Sequence, residues 1–324
     1  MTLSPEGAQH SWKSDIQIPN LITWEPTFAI EMDWILADAI KRHMLDQNES
    51  RRGVLVRAVT RALQQSLLLE SLRRAARFKT GLPESARLVP AGTEATDGAL
   101  DESSVAALPD SEILTALRED VLRGAYYLVD WRGYDGYEPG DNVVNVFALG
   151  SVSTEALDAA ARLVERGVYA NVIVITSPEL VLGILGDKDG YRHLREGLGI
   201  DGDLHAVEAA GESEAGLVSL AGRRVPCVAV CDGEAGLLDN IGSIVGVKQI
   251  TLAVRKFSKC GRPDQVYAYQ HLDADSIVEA CGQVLSETAL EDLRVSTELL
   301  ARVAGRAPAA RRNWRELWPE PHDA

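Results

Sequence analysis

At 324 residues, with 46% hydrophobic and 25% charged side chains, the chain has the composition of folded proteins and the length of about two domains, which excludes wholesale disorder. Its 48 acidic against 33 basic residues give a formal net charge of -15, and such a surface repels phosphate backbones and anionic lipid, so nucleic acid and membrane are not expected as partners. No apolar run reaches the roughly 18 residues needed to span a bilayer, and residues 1–20 lack the charged-then-apolar plan of a signal peptide, so a cytoplasmic location is expected.

A short apolar run at residues 16–25 leads into TFAIEMDWILADAIKRHM, where Phe28, Met32, Ile35, Leu36, Ala39, Ile40 and Met44 recur at helical spacing. Early Glu31 and Asp33 and late Lys41, Arg42 and His43 suit the helix dipole. GVLVRAVT reads as a strand from Val54 to Thr60 and ALQQSLLLESLRRAARF as a helix, the alternation of a parallel α/β sheet. Between Leu82 and Glu112 the composition turns to Ala, Gly, Ser, Pro and acid, seven acidic residues against Arg87 alone, which predicts a mobile loop. ILTALREDVLRGAYYL resumes order as a helix.

A second α/β unit begins at Val143, with NVVNVFALG as a strand, Ser151 to Arg166 as a helix and ANVIVITS as the next strand. A Gly- and acid-rich connector, residues 178–223, carries a short helix at Tyr191 to Gly197. RVPCVAVCD then reads as a strand, EAGLLDNIGSIVG as a helix and KQITLAVRKF as a fourth strand. Helices at RPDQVYAYQHL, ADSIVEACGQVLSE and Leu290 to Val303 precede the tail RRNWRELWPEPHDA, and no repeat of fixed period occurs.

Cys227, Cys231, Cys260 and Cys281 are too few and scattered for a disulfide framework. In an extended strand the two sulfurs of PCVAVCD stand about 13 Å apart and cannot share a zinc ion, so small buried hydrophobes are expected. His193, His205 and His271 have no companion at metal-ligand spacing, and no metal is assigned. GSVSTEA sets Gly150, Ser151 and Ser153 before a helix, where they can hold an anion through backbone N–H groups or cap the helix. No strand is followed by Gly-x-Gly-x-x-Gly, which argues against a dinucleotide site.

EGAQHSWKSDIQIPN followed by ITWEPTFAIEMDWILADAIKR resembles the homodimeric type of the pyruvate dehydrogenase decarboxylating component and, more distantly, transketolase. In that family a Gly-x-x-His turn, an Ile-Pro-Asn segment and a Pro-x-x-Ala helix lie in the second half of the domain that binds the aminopyrimidine ring of thiamine diphosphate. REDVLRGAYYL, FALGSVSTEALDAAARLV, VIVITSPEL and RKFSKCGRPDQVYAYQHLDADSIVEA resemble, in the same order, the transketolase C-terminal domain. The resemblance covers nearly the whole chain apart from the acidic loop and the tail. It departs at SWKSDI, where the pyruvate enzymes continue with an acidic, histidine-bearing run.

The fold class this implies is α/β: a partial pyrimidine-binding layer over residues 1–81, an acidic loop over 82–112, a connecting helix and linker over 113–140, a complete three-layer α/β/α transketolase C-terminal-like domain over 141–287 and a helical tail over 288–324. Measured against the family, the chain opens in the middle of the pyrimidine-binding domain. The resemblance makes His10 the catalytic candidate, facing the cofactor's reactive carbon and moving substrate protons, work suited to an imidazole; a surface histidine is the alternative. Arg57, Thr60 and Arg61 stand at a strand end, the edge where open α/β sheets place ligands, and an arginine there meets the anionic end of the substrate in the family. Solvated surface arginines are the alternative, and Gln64 and Gln65 could reach the same mouth. The implied function is that of a subunit or C-terminal segment of a thiamine-diphosphate-dependent 2-oxo acid dehydrogenase or transketolase. It would bind thiamine diphosphate and magnesium only with a partner chain carrying the diphosphate-binding and N-terminal pyrimidine-binding portions, in an oligomer, with a lipoyl carrier as a further partner. The rival is a noncatalytic interaction or regulatory protein on the same scaffold.

Overall fold

The computed structural model describes residue 18 and residues 20–44, 52–59, 61–80, 106–200 and 224–303. Near the start, β1 (Leu21–Trp24) and β2 (Gly53–Val56) pair in parallel, from Leu21 opposite Gly53 to Trp24 opposite Val56, with α1 (Ala29–Met44) between them in sequence. The helix α2 (Ser66–Leu72) follows, then a 3-10 turn at Ala76–Phe78 and the helix α3 (Asp110–Arg123).

The main sheet is built from β3 (Ala125–Val129), β4 (Val143–Leu149), β5 (Tyr169–Ile175), β6 (Cys227–Glu234) and β7 (Gln249–Val254), in the order β3-β5-β4-β6-β7. Only β3 runs antiparallel to its neighbour. β4 is apolar at every position but Asn145 because parallel strands are covered on both faces. Asn145 is opposite Asn171 of β5 and is satisfied by it at 3.0 Å, with Tyr137 and the Trp131 N–H completing the buried polar group.

Alternate side chains feed two cores. Val144, Val146 and Ala148 join Ala156, Ala159 and Leu163 of α4 (Ser153–Val164) and Ile277, Ala280 and Val284 of α9 (Ala274–Val303). Trp24, Phe28, Ile35 and Leu72 of the N-terminal layer belong to this same core. On the opposite face Phe147, Ile173 and Ala229 meet the helices α5 (Pro178–Val181) and α7 (Ile241–Val245) through Val181, Ile241 and Val245, whereas α6 (Ile184–Lys188) gives Leu185 to the first core. α8 (Pro263–Gln270) follows β7. The result is an α/β fold with helices on both faces of a mainly parallel sheet. Residues 1–285 form one unit and residues 286–324 another; in the second, Leu290 and Leu293 are exposed on α9. Among the described residues no helix is long and apolar enough to cross a membrane.

Several elements differ from their sequence expectations. ILTALREDVLRGAYYL is not one helix: Gly124 adopts φ 109°, its N–H closes the helix on Asp120 and Val121, and AYYLV becomes β3. The strand at residues 54–60 stops at Val56 because β1 offers only four partners before Glu25 turns its N–H to the Thr176 carbonyl at 2.7 Å. Thr60 lies outside the described residues. Most of the acidic stretch, residues 82–105, also lies outside them, but its end is ordered: Thr80 N–H bonds Ala106 O at 2.8 Å, and Asp110 and Glu112 open α3. The helices expected at ADSIVEACGQVLSE and at Leu290 to Val303 are one, α9, since nothing between Glu287 and Leu290 breaks it.

Candidate functional site

From β4 the chain moves outward to β5 and then returns to lay β6 on the other side, so the carboxyl ends of β4 and β6 flank a topological switch point, where open α/β sheets bind ligands. After Leu149 the chain turns at Gly150, φ 65°, into a 3-10 segment that leads to α4. That turn carries Ser151 across the crevice. Its Oγ donates to Asp232 Oδ2 of β6 at 3.0 Å and shares a hydrogen bond with the Tyr267 hydroxyl of α8. Burial and then Asp232 push the Tyr267 phenol well above its ordinary range, so it stays a neutral donor. The trio orders the turn, and among the described residues no imidazole or amine is hydrogen-bonded to Ser151 to activate it as a nucleophile.

The N-terminal layer closes one side of this crevice. Thr27 Oγ1 donates to Gly150 O at 3.3 Å and lies 3.5 Å from Ser153 Oγ. Arg61 reaches over the Tyr267 ring, 5.1 Å from its centroid, and donates to Glu155 Oε1 of α4 at 2.8 Å. Burial disfavours its charge, but Glu155 and Tyr267 outweigh that and hold the guanidinium firmly protonated. Arg57 donates to Glu25 Oε1 at 2.9 Å. A cleft of about 140 Å³ opens here, lined among others by Thr27, Ala29, Arg61, Leu63 and Gln65.

Of the residues singled out from sequence, Arg57 and Arg61 are thus each held against a carboxylate, and Arg61 stands over Tyr267 beside the Ser151 turn. Gln65 lines the cleft and accepts the Ala29 N–H at 2.8 Å, whereas Gln64 is exposed and donates to Ser66 Oγ at 3.0 Å. His10 and His205 lie outside the described residues. The capping expectation for GSVSTEA is corrected: α4 starts with no side-chain cap, and Ser151 and Ser153 are buried. His193 Nε2 is 2.7 Å from Ala125 O, and His271 Nε2 is 3.3 Å from Lys256 Nζ. Among the described residues no group of three His, Cys, Asp or Glu side chains is placed to hold a metal ion. Cys227, Cys231 and Cys281 are buried free thiols, and burial pushes that of Cys231 to about 12.

Sequence reasoning gave Glu31 only a place in the helix dipole and passed over Glu155, Asp232 and Tyr267. Glu31 is fully buried, and its Oε2 accepts the N–H groups of Thr27 at 2.6 Å and Phe28 at 3.2 Å, the backward half of a capping box. Its Oε1 accepts Tyr126 Oη of β3 at 2.5 Å. Burial pushes this carboxyl up to about 7 against those three hydrogen bonds. The sequence signal was a glutamate three places after Phe28, the residue before α1. Asp232 had a signal too, as the acid that directly follows the apolar run VAVC.

No protein-family model matches the sequence, and no curated protein matches it. Among solved structures the chain is similar to the transketolase from Leishmania mexicana, at 16% identity and TM-score 0.46, over 85% of this chain and 27% of that one. It is similar to a transketolase mutant from Pichia stipitis at 14% identity and TM-score 0.42, over 83% and 25%. A split-gene transketolase, as an inactive beta4 tetramer, matches at 14% identity and TM-score 0.43, over 83% of this chain and 58% of that one. The chain therefore spans about a quarter of the length of the first two.

Proposed function

We propose that the chain is a subunit or C-terminal segment of a thiamine-diphosphate-dependent enzyme acting on a 2-oxo acid or a ketose, completed by a partner chain. The observation that carries this reading is the seating of ITWEPTFAIE on the switch point: the Thr27 bond to Gly150 joins the segment resembling a pyrimidine-binding domain to the turn resembling the transketolase C-terminal domain. In this reading Arg61 holds the substrate's anionic end. A guanidinium carries five donors, and those not engaged by Glu155 and Tyr267 remain for a carboxylate or phosphate. His10 moves substrate protons. Thiamine diphosphate, when bound, supplies the carbanion chemistry. Among the described residues no group of three His, Cys, Asp or Glu side chains is placed to hold its magnesium, and in this reading the partner chain binds the diphosphate end.

The pairing of both arginines with carboxylates favours a second reading, an interaction or regulatory protein on the same scaffold, because an internally neutralised cation has less to offer a substrate. Calorimetric titration with thiamine diphosphate and magnesium separates the two. The chain alone is expected not to bind, and the complex copurified from the native host is expected to bind. Tight one-to-one binding by the chain alone, or none by the complex, overturns the enzyme reading.

A further inference from the structure

On a chain of net charge -15, one cleft has the opposite sign. It lies apart from the switch point, where the end of α1 and the start of β2 face α3, α6 and the π-helical turn His193–Gly197, and its volume is about 700 Å³. Five cationic side chains line it, Arg42, Arg52, Arg123, Lys188 and Arg192, against two acids, Asp189 and Glu196. Leu122, Leu180 and Leu185 supply an apolar wall. Neighbouring acids offset part of the charge, Asp38 at 2.6 Å from Arg42, Asp189 at 2.7 Å from Arg192 and, more loosely, Glu119 at 4.0 Å from Arg123. Arg52 and Lys188 both favour the charged form of the buried Glu179 carboxyl, whose Oε2 has no hydrogen-bond partner among the described residues.

The backbone of this cleft is unusual as well. Tyr191 adopts φ 55°, a left-handed conformation that costs a non-glycine residue, and the π-helical turn follows two residues later; both features gather at functional sites. His193, on that turn, also lines the cleft. With Nε2–H donating to Ala125 O, its Nδ1 is an acceptor, buried and without a partner among the described residues. Concentrated positive charge between low-dielectric walls focuses the field on anions. The volume far exceeds that of an inorganic ion and falls in the range of small-molecule pockets.

We propose that this cleft binds a multiply charged phosphate ester of nucleotide size, its phosphates gripped by Arg52, Lys188 and Arg192 and its body lying on Leu122 and Leu185. Guanidinium forks suit phosphate oxygens, and the leucines suit a ring that a bare anion lacks. The site is separate from Arg61 and the crevice at Ser151, so it stands whichever reading of the switch point holds.

The test is fluorescence anisotropy of a mant-labelled nucleoside diphosphate with the full chain at low salt. Saturable binding is expected, weakened by about tenfold or more in the Arg52→Gln, Lys188→Gln double variant, as loss of two charge-assisted hydrogen bonds requires; because both cations also face the buried Glu179 carboxyl, circular dichroism checks that this variant is folded at the assay temperature. Pyrophosphate should displace the probe at lower concentration than inorganic phosphate does. Arg192→Gln, at a side chain already 64% exposed, gives a second variant that leaves folding untouched and should also weaken binding. Absence of saturable binding, equal affinity in the variants, or displacement by chloride as effective as by pyrophosphate at matched ionic strength would each overturn the proposal.

Discussion

Arg61 shows how a single side chain links the two candidate roles of the switch point. Its charge is held by Glu155 and the Tyr267 ring, yet the side chain keeps 25% of its exposure and lines the cleft with Thr27. In the assembled complex, Arg61→Ala should therefore raise the Michaelis constant for an anionic substrate, a loss of about 1.5 to 3 kcal/mol, and leave cofactor affinity nearly unchanged. Steady-state kinetics beside cofactor titration check this, and unaltered kinetics would leave Arg61 as a structural ion pair. Glu31 is the second residue with a measurable signature. Burial raises its folded value to about 7 from 4.5, and the same cause raises Glu179 to about 7. The folded state then holds protons that the unfolded chain releases, so the stability tied to them is complete below about 4.5 and is lost as pH rises through about 7. Urea unfolding of the wild type should weaken between about pH 5 and pH 8, and Glu31→Gln should remove a share on the order of 3 kcal/mol from that slope. A variant with the wild-type slope would show that Glu31 does not titrate in this window.

At the scale of elements, the joint between α3 and β3 rests on Gly124. Its φ of 109° ends the helix, and its carbonyl accepts both the Thr176 N–H at 2.8 Å and the Ser177 N–H at 3.0 Å. A Cβ there would lie 2.8 Å from Val181 Cγ2 and 3.0 Å from Ser177 O. Gly124→Ala should cost about 2 to 4 kcal/mol through backbone strain and this clash. Thermal unfolding measures it, and a melting temperature equal to wild type would mean that the joint repacks freely. LREDVLRGAYYL keeps its apolar residues in helical phase across the joint, and glycine alone marks the change of period.

For the molecule as a whole, the informative surface is α1. Its inward face buries Glu31 and Ile35, but Leu36, Ile40 and Met44 recur every four residues on a second, exposed face, and Met44 is 76% exposed. With Leu55 of β2 also exposed, the N-terminal layer carries apolar surface of the kind that marks protein interfaces. The purified chain is expected to self-associate or to hold a partner, and Leu36→Lys with Ile40→Lys should shift it toward its 35.1 kDa monomer without loss of helicity. Sedimentation velocity decides this; a wild type that is monomeric throughout at micromolar concentration speaks against an interface on α1.

Much of the architecture was legible in the sequence because local rules produce it. Uncharged runs at VVNVFAL and ANVIVI read as strands, and the 3.6-residue spacing from Phe28 to Met44 reads as a helix, since burial dictates residue type one position at a time. The buried, unpaired thiols of Cys227 and Cys231 followed from the strand's rise alone. Contacts between distant segments were beyond such rules. That Ser151 meets Asp232 and Tyr267, that Arg61 finds Glu155, and that Glu31 reaches Tyr126 depend on residues about 80 to 120 positions apart, whose meeting is set by strand order and layer packing. The basic cleft is the extreme case, because its cations come from four separate stretches of an acidic chain and gain a common sign only where the fold gathers them.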